Sequence, residues 1–455
     1  VIRAAWRGVR MRPGPALLLA VVVAAATVIM VGAFALVAAD RDGGSVVSGQ
    51  ADSLARAGTN ALVLGLGGLT GLMLALIVAE AFSTSLRRRA GVFALLRATG
   101  ASTSLLAGAI LLQALVIGLL GSALGLLGSI VAPRLLTAEL ASALKPTWDS
   151  GEALLPQELA VGTALLATLV GTLPPALRAV TAPPGTTPAA PSKPQQPPPA
   201  RGVIGAVLLV VGAVGSVVVW RVDVLPHRVG VLWAAAGVLL VGLLIALPQA
   251  VRALVAVLGL PARLGSSGRL ALRQMTATPR SAATIAVAPL LATAAVCAGA
   301  PLAVSLRATV ADEAVPGRAA AQLDVLPTLL ICVSALAGLC AAGALAASAA
   351  ERTGESALMR AVGQGRGQRA AQLLCEFTLA CVAGLVLGAA TGLLLAGAGG
   401  AVLADQGIGG FAIPWRQLLP LLAIGCGVGV LSALAPVLKP APQVVSTTEP
   451  DGAPA

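Results

Sequence analysis

The sequence predicts an all-α membrane protein with ten transmembrane helices. They form two parallel four-helix repeats plus two intervening helices, with no large extracellular domain. Three observations carry that expectation. Of the 455 residues, 57% are hydrophobic and only 11% charged, whereas ordinary soluble domains carry about 25% charged residues. Apolar runs long enough to cross a bilayer, about 20 residues of helix each, recur ten times along the chain. A short basic stretch between two of them, "SLRRRAGVFALLRATGAS" (Ser85 to Ser102), is written again as "AAERTGESALMRAVGQGR" (Ala349 to Arg366).

The runs cover residues 16 to 39, 61 to 85, 104 to 132, 157 to 178, 203 to 221, 229 to 250, 283 to 305, 326 to 349, 372 to 398 and 416 to 438. The first is over 20 residues long and nine more follow it, so a retained span is expected there rather than a cleaved signal peptide. The outer loops 40 to 60 and 306 to 325 have room for a turn or a short helix, not for a folded domain. Residues 181 to 200, "TAPPGTTPAAPSKPQQPPPA", hold eight Pro in twenty and read as an extended tether. These features divide the chain into a first repeat (1–180), a Pro-rich linker (181–200), two connecting helices (201–268), a second repeat (269–440) and a tail (441–455) with nothing to bury, expected to be disordered.

Charge sets the orientation. With the N-terminus placed inside, the inner segments hold 21 of the 30 Lys and Arg, and 12 of the 18 acidic residues fall outside. An excess of Lys and Arg in short loops marks the cytoplasmic side, so both termini are expected there. Because the formal charge of +12 is spread over alternate loops, it argues against nucleic acid as the partner. Trp148, Trp220, Trp233 and Trp415 lie near outer helix ends, where an amphipathic ring suits the headgroup region. The six Cys lie in or at the edge of apolar runs without a CxxC pair and read as small buried residues.

The repeat aligns without a gap through the basic stretch: Arg89, Gly91, Ala94, Leu95, Arg97, Ala98 and Gly100 fall on Arg352, Gly354, Ala357, Leu358, Arg360, Ala361 and Gly363, a shift of 263. The same shift carries Gln113 onto Glu376, Gly121 onto Gly384 and Gly125 onto Gly388. Upstream, Arg7 and Pro13 match Arg273 and Pro279 at a shift of 266; downstream, "TLPPALR" from Thr172 matches "ALAPVLK" from Ala433 at 261. Two spans separate the repeats, so each begins on the same side of the membrane, and their topologies are parallel rather than inverted. The spacings Gly121-x-x-x-Gly125 and Gly384-x-x-x-Gly388 let helices approach closely in lipid. They predict helix three of each repeat packed on a neighbour, with the pseudo-twofold axis between repeats as one place for that contact.

The repeated basic segment is too short to span. A helix there, closed by Gly100 or Gly363, presents Phe93, Leu96 and Leu95 on one side and cations at its ends. Snorkelling of Arg87, Arg88 and Arg89 to lipid phosphate accounts for the charge alone. It does not account for the same apolar order written twice.

Here the chain resembles the FtsX-like permeases of the ABC transporter superfamily. The resemblance rests on "RRRAGVFALLRATGAS" followed by "LLQALVIGLLGSALGLLGS", and on "ERTGESALMRAVGQGRGQ" followed by "LLCEFTLACVAGLVLGAATG". In that family a four-helix domain carries a Glu followed by Leu and an Arg-Ala-x-Gly-Ala motif between its second and third helices. The resemblance implies that each segment is a coupling helix docking on a cytoplasmic ABC ATPase subunit, present in two copies, through Arg87, Arg88, Arg89, Phe93, Leu96 and Arg97, and through Arg352, Glu355, Leu358 and Arg360. The family's Glu is Glu355 in the second repeat and Val92 in the first, so the two docking sites are expected to be unequal. Many relatives also carry a large external domain after helix one, for which neither repeat has room.

Catalytic chemistry is not in evidence. No G-x-x-x-x-G-K-S/T occurs, and the three lysines, Lys145, Lys193 and Lys439, lie outside Gly-rich loops, so ATP hydrolysis is expected in a separate subunit. His227 reads as a loop residue, and "GSSG" at Gly265 to Gly268 as a turn. No H-E-x-x-H or Cys/His cluster calls for a metal, and no cofactor is expected. Glu80 and Glu376 fall in or near membrane helices, where an ionisable group marks a candidate functional site. Both lie within a turn or two of the inner helix ends, where Arg87 or Arg369 and water are expected in reach.

The expected function is the permease subunit of an ABC transporter moving an amphiphilic, lipid-like or peptide substrate. A proton-coupled carrier using Glu80 or Glu376 is the alternative, and an ATPase-coupled scaffold or signal relay is a third. The use of 27 Arg against three Lys, with abundant Ala, points to a bacterial plasma membrane.

Overall fold

The computed structural model describes residues 13–41, 50–136, 154–181, 199–219, 225–259, 265–312, 318–351 and 363–404, with isolated positions at 419, 423 and 427. Among the described residues it forms eleven helices and no strand. They are α1 (Pro13–Arg41), α2 (Gln50–Arg88), α3 (Ala90–Ala98), α4 (Thr103–Leu136), α5 (Leu154–Thr181), α6 (Pro199–Val218), α7 (Leu225–Leu258), α8 (Ser266–Ala277), α9 (Pro279–Asp312), α10 (Arg318–Glu351) and α11 (Arg366–Ala404). All but α3 and α8 contain a stretch long and apolar enough to cross a membrane, and these nine stretches coincide with the first nine apolar runs. The tenth run, 416 to 438, lies outside the described residues apart from the isolated positions.

Helix is the form these runs must take, because the hydrocarbon core offers no water to satisfy backbone N–H and C=O groups. Buried hydroxyls follow the same constraint. Thr27, Thr70, Thr168, Thr172, Ser216, Thr293 and Ser334 each donate to the carbonyl four residues earlier in their own helix, at 2.7 to 2.9 Å. Their polarity is thus spent within one helix, and the spans meet through shape.

The connections at 40 to 60 and 306 to 325 are shorter than the sequence suggested. α2 begins at Gln50 and α10 at Arg318, so helix occupies much of the stretches read as loop. The 39 residues of α2 make about 58 Å of helix, well beyond a hydrocarbon core of about 30 Å. The polar residues before Asn60 therefore continue the helix beyond its apolar stretch instead of breaking it.

In the first repeat α1 packs on α2, α4 and α5; in the second, α9 packs on α10 and α11. The halves meet where α1 and α2 face α9 and α10. The α6–α7 hairpin lies beside the second repeat, against α9 and α11, and the short α8 packs on α11, α7 and α9.

The glycine stripes seat helix three on helix one of the same repeat, not across the axis. A Cβ added at Gly121 would lie 2.9 Å from the Ala20 carbonyl oxygen, and one at Gly125 would lie 2.7 Å from that of Ala24 and 2.6 Å from Thr27 Cβ. In the second repeat a Cβ at Gly384 would lie 2.5 Å from the Ala286 oxygen, and one at Gly388 would meet the Leu290 oxygen and lie 2.9 Å from Thr293 Cβ. These are the same contacts displaced by 263 residues on helix three and 266 on helix one. Even the threonine is reused: Thr27 bonds the Val23 carbonyl and Thr293 that of Pro289.

Candidate functional site

The first basic segment becomes α3, nine residues between two spans. Arg89 makes the turn that admits it, with φ −100° and ψ 5°, its N–H reaching the Leu86 carbonyl at 3.0 Å. At the other end Gly100 has φ +93°, a conformation open to glycine at little steric cost. There the Gly100 N–H bonds the Arg97 carbonyl and the Ala101 N–H that of Leu96, both at 3.0 Å. This pair of bonds is a Schellman cap, which satisfies the terminal carbonyls and reverses the chain into α4.

Packing against the bundle shows which side faces where. Arg89, Phe93 and Arg97 recur every four residues and are half-buried, with Phe93 packed against the hydrophobic core. Val92, Leu95 and Leu96 are exposed at 59%, 68% and 41%; by helical spacing Leu95 lies opposite Phe93, and Val92 and Leu96 flank the inward row on one side. The sequence expectation is corrected here: Phe93 anchors α3 to the membrane bundle, while Leu96 shares the outer ridge with Val92 and Leu95. Arg97 stands on the inward row as well. Arg87 and Arg88 end α2, and their side chains lie outside the described residues.

Of the second segment, Arg352, Glu355, Leu358 and Arg360 lie outside the described residues. Its exit is described and copies the first. Gly363 has φ +98°, and the Arg369 N–H bonds the Gly365 carbonyl at 3.1 Å, just as Leu106 bonds Ser102 at 3.2 Å. The following helices are capped by complementary halves of a capping box. The Ser102 hydroxyl accepts from the Leu105 N–H at 3.3 Å, whereas the Gln368 side chain accepts from the Gly365 N–H at 3.4 Å.

The acidic residues diverge. Glu80 is half-buried on α2. Glu376 is only 3% exposed, so the access to water expected for it is absent; its Oε1 instead accepts a hydrogen bond from Gln372 Nε2 at 3.2 Å. Gln372 Nε2 also donates to Gln274 Oε1 of α8 at 2.7 Å, and Gln372 Oε1 accepts from Gln364 Nε2 at 3.0 Å. Sequence reasoning found Glu376 but missed these amides. The signal available was Gln368, Gln372 and Glu376 at four-residue spacing on an otherwise apolar helix.

Exposed Arg178, Arg201, Arg252, Arg269, Arg273 and Arg280 lie at the helix ends nearest these segments. Among the described residues this end of the bundle is therefore rich in Arg. Among the described residues no group of His, Cys, Asp and Glu is arranged to hold a metal ion.

A family model for the FtsX-like permease C-terminal domain matches the chain twice, over residues 64–184 and 327–442, together more than half its length. The matches begin 263 residues apart, the shift that relates the basic segments, and each runs from helix two of a repeat through its segment into helix three. No curated protein and no solved structure matches the chain. The chain belongs to the FtsX-like permease family and is a multi-pass ABC transporter permease.

Proposed function

We propose that this permease receives force from two copies of a separate cytoplasmic ABC ATPase through its two basic segments and uses it to move an amphiphilic, lipid-like or peptide substrate. The observation that carries the reading is the outer ridge of α3. Val92, Leu95 and Leu96 stand exposed on a capped helix too short to span, and the row of Phe93 on the other side is held against the bundle. The ridge therefore points away from the membrane domain. An apolar ridge with cations beside it fits a groove on a protein partner.

The units doing this work are two four-helix domains, residues 1–180 and 269–440. The linker 181–200 and the connecting helices of 201–268 join them. The basic end faces the cytoplasm of a bacterial cell and the chain sits in its plasma membrane; the alternation of charge from loop to loop supports this orientation. The self-satisfied hydroxyls of the spans favour a substrate that moves along the lipid-facing side rather than through a polar channel. Hydrolysis belongs to the partner.

The test exchanges the two sides of α3. In tagged permease purified with its Walker-motif ATPase, Leu95→Glu is expected to lower bound ATPase at least tenfold without changing thermal stability. Phe93→Ala is expected to lower stability by about 2 kcal/mol. Full ATPase binding by Leu95→Glu contradicts the proposal, and flux of a labelled lipid or peptide in vesicles separates transport from signal relay.

A further inference from the structure

The amides around Gln372 join three separate parts of the second repeat. Gln364 directly follows the left-handed Gly363 and so is the first residue out of the second basic segment; Gln372 is on α11; Gln274 is on α8. Both N–H groups and the oxygen of Gln372 are engaged. Its two N–H bonds go to Gln274 and Glu376, and its oxygen accepts from Gln364. A flipped amide would set oxygen against the Glu376 carboxyl and N–H against N–H, so the arrangement has one orientation. Glu376, shielded from water, holds that orientation from below.

The first repeat cannot build this junction. The shift of 263 puts Ala101, Ala109 and Gln113 where the second repeat has Gln364, Gln372 and Glu376, and the shift of 266 puts Gly8 where it has Gln274. The exit of α3 has instead the backbone cap, the Ser102 hydroxyl accepting from the Leu105 N–H, and apolar packing of Ala101.

We propose that Gln372, with Gln274 and Gln364, forms a positioning cluster that locks the exit of the second basic segment, at Gly363 and Gln364, to α8 and α11, an anchorage that the residues at the equivalent positions of the first repeat cannot supply. The proposal rests on the coupling reading for what the segment transmits, but the lock itself exists in the permease alone. A side-chain network of this kind resists rotation because each bond fixes the next, in surroundings of low dielectric where a lost partner is costly. Displacement of the second segment is thereby delivered to α11 and to α8 together.

Hydrogen exchange on the full-length permease in lipid nanodiscs tests the lock without any ATPase. Gln274→Leu and Gln364→Leu, which leave Gln372 and Glu376 in place, are expected to speed exchange of amides 363–372 at least tenfold and to leave 100–109 unchanged. Gln364→Lys keeps a donor for Gln372 and is expected to restore protection. In the complex with its ATPase, Gln274→Leu is expected to lower kcat for ATP hydrolysis about fivefold at unchanged KM and unchanged ATPase stoichiometry. Unchanged exchange in 363–372, equal loosening of 100–109, or no recovery in Gln364→Lys overturns the cluster. Absence of any bound ATPase in the wild type overturns the coupling reading instead, and the exchange data still judge the lock.

Discussion

The exits of the two basic segments are built on one backbone and anchored by different chemistry. Gly100 and Gly363 take the same positive φ, and the first turns of α4 and α11 carry equivalent N–H to carbonyl bonds. Beyond that turn the first repeat has Gly8, Ala101, Ala109 and Gln113 at the positions where the second has three amides and a buried carboxyl. The environments differ as well: α11 packs on the α6–α7 hairpin and exposes Val386 and Leu394, while α4 exposes Leu119, Leu120, Leu124 and Leu127. Duplication preserved what chain geometry demands, the glycine at the cap and the glycines at the helix crossing. It left side-chain anchorage free to diverge.

The largest expected effect strikes what the repeats share. Gly384→Leu and Gly121→Leu each drive a side chain into the carbonyl of helix one, where even a Cβ would lie 2.5 and 2.9 Å from oxygen. Each is expected to cost on the order of 3 kcal/mol or to prevent assembly, read by thermal unfolding in detergent. Gly108→Leu, where an added Cβ meets nothing within 4 Å, is the control expected to be near neutral. A large difference between the Gly384 and Gly121 variants would break the equivalence of the crossings.

A middle-sized effect separates the repeats. Gly100→Ala and Gly363→Ala each place a Cβ on a left-handed residue, a cost of about 1 to 2 kcal/mol. Stability is expected to fall equally in both. ATPase coupling is expected to fall further in Gly363→Ala, because Gly363 aims Gln364 at Gln372.

The smallest effect concerns the hydroxyls. Thr27→Val and Thr293→Val remove a bond made within one helix and keep its shape, so each is expected to change stability by less than about 1 kcal/mol. A larger loss in unfolding assays would show that these hydroxyls also hold helices together.

Much of this was legible in the sequence, because each legible feature is local or periodic. Nine spans follow from runs of apolar residues, and the close crossings from Gly-x-x-x-Gly. The outward side of α3 was not legible. Val92, Phe93, Leu95 and Leu96 put apolar groups around most of a nine-residue helix, and only packing against the bundle shows that Phe93 is the anchor. The extension of α2 back to Gln50 escaped for another reason: its first residues are polar, and polarity beyond the apolar stretch does not end a helix. The amide cluster lay furthest from view, since Gln274 and Gln372 are 98 residues apart and no pattern in either segment announces the other.

The central claim, that both basic segments meet a motor on one side of the membrane, is tested most directly by cross-linking. Cysteines placed singly at Leu95 and at its counterpart Leu358, in an otherwise cysteine-free permease assembled with its ATPase, are each expected to cross-link to that ATPase and to be labelled only from the cytoplasmic side. Labelling of the two positions from opposite sides, or failure of both to cross-link to a bound ATPase, would contradict the account.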